Sequence, residues 1–585
     1  MFATIKKIKI LNFRSCYNTE IILSPYTALV GYNNSGKSNI LTAIQWLLRK
    51  TSLSVADFSN VLNEVSISGT FSGITGELLE TLSPTHRSRM TPYISNESIQ
   101  IKRTQVAPDV KTAEILLSVF NPATNNWDPN PTGIDNAINA LFPEPIRIGA
   151  MENAAEDASK AKTTTTIGKL LAQFLNPIRV AHEAEINIYL EEIKRRISAD
   201  GDYRLPELEN IDTSINEKIV DLFPDITLKL DFNTPSFNDL VKAGSVKLYE
   251  GDGNGMGFSS YGHGAQRSIQ MALVRHLAEI KQEGTTANTT LLLIDEPELY
   301  LHPFAIEHIR ESLKTLSSSG YQIIFSTHSG QMIQSEDVAN TVLVRKNNIK
   351  GTHTRKQLMD DKSVIINRNH QIEHIFSLSN SSQILFSEQV ILAEGKTELR
   401  LIPVLFKIIK GKTLAQYKFA LVAQYGVDNT KKMRDILEAM DIPSKTIVDL
   451  DYAFQGAIKH GYLESTDSDI SAIKALLPAL AIASGFDIDK NTNLPKKNAQ
   501  YSAEYAYEIL AADTTAAPHI QNIHQKLKSQ GIWIWTDGAI EKTLNLPSKT
   551  ERDRAAFVTD CKSMDVPTLN AKHPQLLSLF NWISP

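Results

Sequence analysis

The segment Gly31-Tyr32-Asn33-Asn34-Ser35-Gly36-Lys37-Ser38 constrains the fold more than any other stretch, because it joins the apolar run TALV to an apolar helical run from Ser38 to about Leu48. A buried strand, a glycine-bearing turn and a helix start together make a phosphate-binding loop. The glycines let backbone N–H groups wrap an anion, and the helix N-terminus adds positive potential. Lys37 then neutralises the terminal phosphates, and Ser38 offers its hydroxyl to magnesium. ATP with Mg2+ is therefore expected against Gly31, Asn33, Asn34, Ser35, Gly36, Lys37, Ser38 and Asn39. The metal needs a second anchor and the attacking water a base. The run LLLI ending in Asp295-Glu296 offers both at the carboxyl end of a strand, Asp295 for the metal and Glu296 for the water.

The distance along the chain from Lys37 to Asp295 implies an ATPase split by an insert. Between about 165 and 223 the pattern turns helical, with LLAQFLNPIRV and AEINIYLEEIKRRI spacing their apolar residues near 3.6. No heptad repeat lasts long enough for a coiled-coil arm. Strands return at LKLDF, LLLIDE and IIFSTH. Ahead of LLLIDE, Tyr261-Gly262-His263-Gly264-Ala265-Gln266-Arg267 opens another helical stretch and resembles the signature of ATP-binding-cassette ATPases. Gly262 stands there for the usual serine, His263 for glycine and Ala265 for glutamate. The resemblance implies a homodimer in which Gly262, Gly264 and Gln266 of one subunit complete the ATP site of the other. It also implies that His328, after the strand IIFST, is a switch histidine at the γ-phosphate.

A polar stretch, 377–383, precedes a second pattern of strands (EQVILAEG, FALVA, KTIVDLD, GIWIWTD) alternating with helical segments, the mark of a parallel sheet covered by helices. Glu394 and Glu398 follow the first of these strands at i, i+4. Asp449 and Asp451 end another at i, i+2, a spacing that puts both carboxylates on one face of an extended chain. Four converging acids repel unless divalent cations compensate them, and an all-oxygen set suits Mg2+ or Mn2+. Two such ions can activate water and stabilise the leaving oxygen of a phosphodiester.

The order E-G-x-x-E then D-x-D resembles the Toprim domain, and its pairing with a cassette ATPase resembles the overcoming-lysogenisation-defect (OLD) family of endonucleases over nearly the whole chain. The resemblance implies an α/β architecture of an ABC-type ATPase (1–164 and 225–380) split by a helical dimerisation insert (165–224) and followed by a Toprim nuclease domain (381–585). It implies an ATP-hydrolysing, metal-dependent DNA endonuclease of bacterial anti-phage defence, with DNA as substrate and a homodimer or higher homo-oligomer as the assembly. A helicase or a reverse-transcriptase/noncoding-DNA partner would stand alongside. Glu296, His328, Glu394, Asp449 and Asp451 would be catalytic. Ser38, Asp295, Glu394, Glu398, Asp449, Asp451 and a further acid would hold metal at the two sites. Asp537 and Glu541, at i, i+4 after GIWIW, are candidates for that acid, with Glu541 preferred. Lys542, Lys562 and Lys572 are candidates for an accompanying lysine. The competing reading is a recombination-mediator-like clamp with a non-catalytic Toprim fold. A topoisomerase-like strand passer would need a nucleophilic tyrosine in a cleavage module that none of the 17 tyrosines occupies recognisably.

The remaining composition narrows the setting. With 585 residues the chain exceeds a single core. No apolar run reaches the ~18 residues of a membrane span, so no membrane association is expected. The N-terminus alternates apolar and basic residues without a secretory h-region, and Cys16 and Cys561 are the only cysteines; both point to the cytoplasm. A net charge of -5 leaves DNA binding to local patches, of which Lys431-Lys432-Met433-Arg434 is preferred over Lys194-Arg195-Arg196 and Lys496-Lys497.

Overall fold

A computed structural model describes residues 3–142, 145–150, 166–221, 223, 225–237, 239–240, 247–249, 251, 253–282, 290–360, 372, 376, 381–424 and 426–584. The chain divides into two compact units, 1–27 with 37–327 and 28–36 with 328–585. It thus passes from the second unit back into the first within the phosphate loop.

In the first unit six strands pair antiparallel in the order Asn126–Pro129, Leu116–Asn121, Ser98–Gln105, Val65–Ser72, Thr4–Phe13, Cys16–Ile22. Alternation sets the two faces: Ile8, Ile10, Ile67, Phe71, Ile99 and Ile101 are buried, while Lys7, Gln100 and Glu20 are exposed. Helix Lys37–Leu48 buries Ile40, Leu41, Ile44, Trp46 and Leu47 and packs on this sheet and on the strands Thr290–Asp295 and Tyr321–Thr327. Those two strands pair in parallel, with Ile146–Ile148 on the far side of Thr290–Asp295. Every residue of both is buried, which is why they read as unbroken apolar runs.

The helical pattern of the insert becomes helices Thr166–Ile197 and Pro206–Ile219. The strand expected at LKLDF does not form, and 226–236 has no regular structure. Its backbone is claimed instead by side chains of the second helix and of Arg204 just ahead of it. Asn216 Oδ1 accepts from Leu228 N at 2.6 Å and Asn216 Nδ2 donates to Leu228 O at 2.8 Å. Asp212 Oδ1 accepts from Leu230 N at 3.0 Å, and Arg204 donates to Leu230 O at 2.7 Å. With those groups satisfied sideways, a ladder has little left to offer.

In the second unit Val342–Asn347 pairs in parallel with the end of Tyr26–Val30 and antiparallel with Gly351–Thr354. Of the polar stretch 377–383, residues 377–380 lie outside the described residues. Beyond it four parallel strands run in the order Phe419–Ala423, Gln389–Ala393, Ser444–Val448, Ile532–Ile534. Two apolar cores line this sheet. One gathers Ile470, Ile473, Ile520 and Leu527 from helices Ser468–Ser484 and Ala517–Ser529. The other gathers Leu401, Leu405 and Phe406 from helix Lys396–Lys410 with Leu576, Phe580, Trp533 and Trp535. No helix among the described residues is long and apolar enough to cross a membrane.

Candidate nucleotide and carboxylate sites

The phosphate loop is shaped by two glycines. A Cβ on Gly31 would stand 2.3 Å from Val344 O, and Gly36 adopts φ +100° where a Cβ would strike Thr352. Thr352 Oγ1 donates to Ser35 O at 2.9 Å, and Asn34 takes φ +64°. Asn33 and Asn34 are exposed on the loop, whereas Asn39 points elsewhere: its Nδ2 donates to Ser15 Oγ at 2.8 Å and its Oδ1 accepts from Arg14.

In the first unit Ser38 Oγ donates to Asp295 Oδ1 at 3.0 Å, bringing together the hydroxyl and carboxylate expected to share a magnesium. Asp295 is buried because it ends its strand, opposite Ser326, whose hydroxyl also donates to Oδ1; Arg147 donates to Oδ2 at 2.8 Å. Beneath the pair lies Arg267, donating to Asp295 O at 2.6 Å, Glu296 O at 2.7 Å and Gly149 O at 3.0 Å. Burial pulls its pKa down to about 10 against the pull of Glu298, Asp295 and Glu296. Glu296 sits at φ +49° with its N–H bonded to Ser326 O at 3.1 Å, a constrained turn directly after the strand. Arg147, Arg267 and Ser326 went unread in the sequence. Only Arg267 carried a signal there, as the last residue of the signature-like motif.

That motif begins helix His263–Gln282. Space is open over Gly262, and the nearest atom to a Cβ on Gly264 is Tyr300 Cβ at 3.8 Å. Gln266 is buried, its amide donating to Tyr261 O at 2.7 Å and Phe258 O at 3.3 Å. Its amide group therefore secures the turn within its own chain. His328 is half-buried directly after the strand Tyr321–Thr327.

The second constellation lies at the carboxyl ends of the parallel strands of the second unit, where such sheets place their chemistry. Glu394 follows Gln389–Ala393 and its Oε2 accepts from Asp449 N at 2.9 Å, tying together the ends of adjacent strands. Glu398 lies in the first turn of helix Lys396–Lys410, its Oε2 accepting from Gly395 N at 3.2 Å. The strand Ser444–Val448 ends before Asp449, and Leu450–Ala453 forms a 3-10 turn, so the i, i+2 argument from an extended chain does not apply to Asp449 and Asp451. What directs them is this turn, with Leu450 N bonded to Gly538 O at 2.8 Å. Glu541 joins the group, its Oε1 accepting from Thr397 Oγ1 at 2.6 Å. Asp537 does not, since Gln575 Nε2 donates to its Oδ2 at 2.6 Å. Helix Ile540–Thr543 begins too late to set these two acids at helical spacing.

Electrostatics shows the crowding. Burial, then Asp451, pushes Glu394 up to about 7, and burial, then Glu541, pushes Glu398 up to about 7. Asp449 is raised well above the carboxylate range by burial and then Glu394, and Asp451 is raised by burial and then Glu504. The nearby cation is Lys549: its Nζ stands 2.7 Å from Glu504 Oε1 and 3.9 Å from Glu541 Oε2. Burial lowers its pKa, but Glu504 and Glu541 outweigh this and raise it. None of the three sequence candidates takes that place; Lys542 pairs with Glu508 at 3.2 Å. Lys549 lies in a short polar turn without periodicity, so nothing local marked it, and Glu504 lies on a different helix, Ala503–Ala512.

Among the described residues no three His, Cys, Asp or Glu side chains are arranged to enclose a metal ion as they stand. Even so, the group suits a divalent cation. Its donors are all carboxylate oxygens, and Asp449 Oδ1 is buried with no hydrogen-bond partner, a costly state that an ion would relieve. The basic clusters are largely engaged: Arg434 donates to Gln530 O at 2.7 Å and lies over Tyr462, while Lys431 pairs with Asp435 at 3.4 Å. Lys194 and Arg196 make surface ion pairs along their helix.

A family model described as an AAA ATPase domain matches residues 4–333, and one described as an overcoming lysogenization defect protein-like TOPRIM domain matches 385–451. The Old nuclease of Escherichia phage P2 is 39% identical over 594 residues, covering 100% of both chains. The chain belongs to the OLD nuclease family. The OLD nuclease of Thermus scotoductus (strain ATCC 700910 / SA-01) is 24% identical over 475 residues, 76% of this chain and 82% of that one. Endonuclease GajA of Bacillus cereus (strain HuB5-5) is 22% identical over 217 residues, 33% of this chain and 31% of that one. As an OLD family member the chain is an ATPase and endonuclease, an α/β protein with a P-loop ATPase followed by a TOPRIM domain.

Proposed function

We propose that this OLD family protein is an ATP-regulated, metal-dependent DNA endonuclease of anti-phage defence, hydrolysing phosphodiesters at the acids around Asp449. The observation that carries this reading is the buried, unpartnered Asp449 Oδ1 among Glu394, Glu398, Asp451 and Glu541, whose mutual repulsion calls for cations. Glu394, Glu398, Asp449, Asp451 and Glu541 would hold Mg2+ or Mn2+, which when bound would supply a water activated for attack and a stabilised leaving oxygen. Lys549 keeps one positive charge beside them, suited to a phosphate oxygen. The tie from Glu394 to Asp449 N fixes the spacing of two adjacent strand ends, and the buried setting strengthens every charge interaction within it.

At the ATPase site Ser38 and Asp295 would hold Mg2+, Glu296 would orient water, and His328 would read the γ-phosphate. The open backbone at Gly262 and Gly264 suits a phosphate of a second subunit, with Gln266 holding the turn that presents them and helices Thr166–Ile197 and Pro206–Ile219 serving the homodimer. The relationship to Endonuclease GajA supports the endonuclease reading. The test is cleavage of supercoiled plasmid with Mg2+ or Mn2+, with and without ATP. Metal-dependent nicking lost in Asp449→Ala and given a different ATP response by Glu296→Gln supports the reading; DNA binding without cleavage under every condition refutes it in favour of a clamp.

A further inference from the structure

The second unit contains both the glycine-rich half of the phosphate loop and the carboxylate cluster, and one side chain of the loop packs at the foot of the strand that leads to Glu394. Tyr32, the residue after Gly31, is half-buried. Its ring lies 3.8 Å from Lys418 Nζ and 5.1 Å from the Arg345 guanidinium, a cation on each count within cation–π range. Both cations belong to the footing of the strand Gln389–Ala393. Lys418 O accepts from Glu388 N at 2.8 Å, and Lys418, held at φ +60°, directly precedes the neighbouring strand Phe419–Ala423. Arg345 is buried, donates to Leu385 O and Ser387 O at 3.0 Å each, and stands 3.4 Å from Glu388 Oε1. Arg355, from the same hairpin, closes on Glu388 Oε2 at 2.5 Å. That hairpin also grips the loop directly, through Thr352 to Ser35 O and through the close approach of Val344 O to Gly31.

Glu388 is the residue before Gln389–Ala393, and Glu394 is the residue after it. Six residue steps of extended chain, about 20 Å, separate the two. The strand is buried and hydrogen-bonded on both sides, so it transmits displacement as a rod rather than absorbing it. At its far end Glu394 accepts from Asp449 N, the bond that sets the spacing of the two acids.

We infer that Tyr32 is a positioning residue of the nuclease: through Lys418, Arg345 and Glu388 it makes the position of the strand that leads to Glu394 depend on the conformation of the phosphate loop. Nucleotide on the loop moves the ring, the ring moves the strand footing, and the footing resets Glu394 against Asp449. This rests on the nuclease reading above and supplies its route of ATP control. Tyr32 is tied to this footing twice, by its ring face to Lys418 and Arg345 and by its hydroxyl, which interacts with the Glu388 carboxylate. Tyr32→Ala therefore loses both ties, whereas Tyr32→Phe keeps the ring and stands between wild type and Tyr32→Ala.

The experiment compares wild type, Tyr32→Phe, Tyr32→Ala, Lys418→Met and the Tyr32→Ala/Lys418→Met pair, as full-length protein, for plasmid cleavage with Mg2+ with and without saturating ATP. ATP affinity is measured on each with a fluorescent analogue. The expected result is that Lys418→Met cleaves as wild type without nucleotide, while its ATP-dependent change in rate shrinks at least threefold. Tyr32→Ala shrinks the ATP response likewise, and the double variant is no worse than either single one, as a shared contact requires. An undiminished ATP response in Lys418→Met or in Tyr32→Ala, or additive effects in the pair, overturns the inference. Hydrogen exchange of residues 389–394 provides the readout independent of cleavage. ATP should change it in wild type and Tyr32→Phe and not in Lys418→Met. If no variant, wild type included, cleaves DNA, the nuclease reading fails while the exchange result still decides the coupling. A wild type that cleaves with no ATP effect on rate or exchange leaves the nuclease standing and overturns the coupling.

Discussion

Glu398 gives the carboxylate cluster a measurable energetic signature. Burial, with Glu541 adding to it, raises its pKa from 4.5 to about 7, and at 3% exposure solvent does little to soften the effect. A raised carboxyl binds its proton more tightly folded than unfolded. Its contribution to stability is therefore complete below the unfolded value and is lost as pH rises through the folded one. At 1.36 kcal/mol per unit the full contribution is about 3 kcal/mol, most of which disappears between pH 5 and pH 8. Glu398→Gln removes the ionisation while keeping an acceptor for Gly395 N. In chelator, the urea unfolding of the domain carrying the buried Trp533 and Trp535, followed by their fluorescence, should show wild type losing stability across this range. The Gln variant should lose about 2–3 kcal/mol less, matching wild type at pH 5 and exceeding it at pH 8. Saturating Mg2+ should reverse the order at pH 8, because the cation compensates a charge that the variant lacks. Equal pH slopes in wild type and variant would refute the argument, since the repulsion would then not be present in the folded state.

Other consequences are open to direct measurement. Lys549→Met should cut plasmid cleavage by 10²-fold or more while leaving ATP hydrolysis within about twofold, and Lys542→Met, which loses only a partly exposed pair with Glu508, should do neither. Ser38→Ala removes the hydroxyl bonded to Asp295 and should abolish Mg2+-dependent ATP hydrolysis with folding intact by circular dichroism. Arg267→Met leaves three backbone carbonyls beside two carboxylates without their donor and should destabilise the first unit by about 3–5 kcal/mol in denaturant titration. Proton release on Mg2+ binding should reach about two per chain at pH 6 from Glu394 and Glu398 alone, and their share should fall as pH rises above about 7, as read by calorimetry in buffers of different ionisation enthalpy.

What could be read from the sequence follows from how far each signal reaches. The phosphate loop was legible because strand, glycine turn and helix are contiguous, and the buried strands because both-face burial leaves unbroken apolar runs. Glu394 and Asp449 were legible because each directly follows such a strand, and parallel neighbours must bring those ends together. Reasoning from local period failed where tertiary partners overrode it. The LKLDF segment carries a strand pattern, but Asn216 and Asp212 occupy its backbone, and no rule of spacing within LKLDF could have revealed a helix sited ahead of it. Asp449 and Asp451 are joined by a 3-10 turn rather than a pleat, so the pairing argued from an extended chain rests on a geometry that does not form. Lys549 and Glu504 show the limit most plainly. Neither follows a strand or keeps a period, and only the folding of two separate segments onto the same strand ends gives them a charge to answer. A cluster of like charges can thus be inferred from its anchored members, whereas its counter-charge is free to come from any turn that packs within reach, and must be looked for in space.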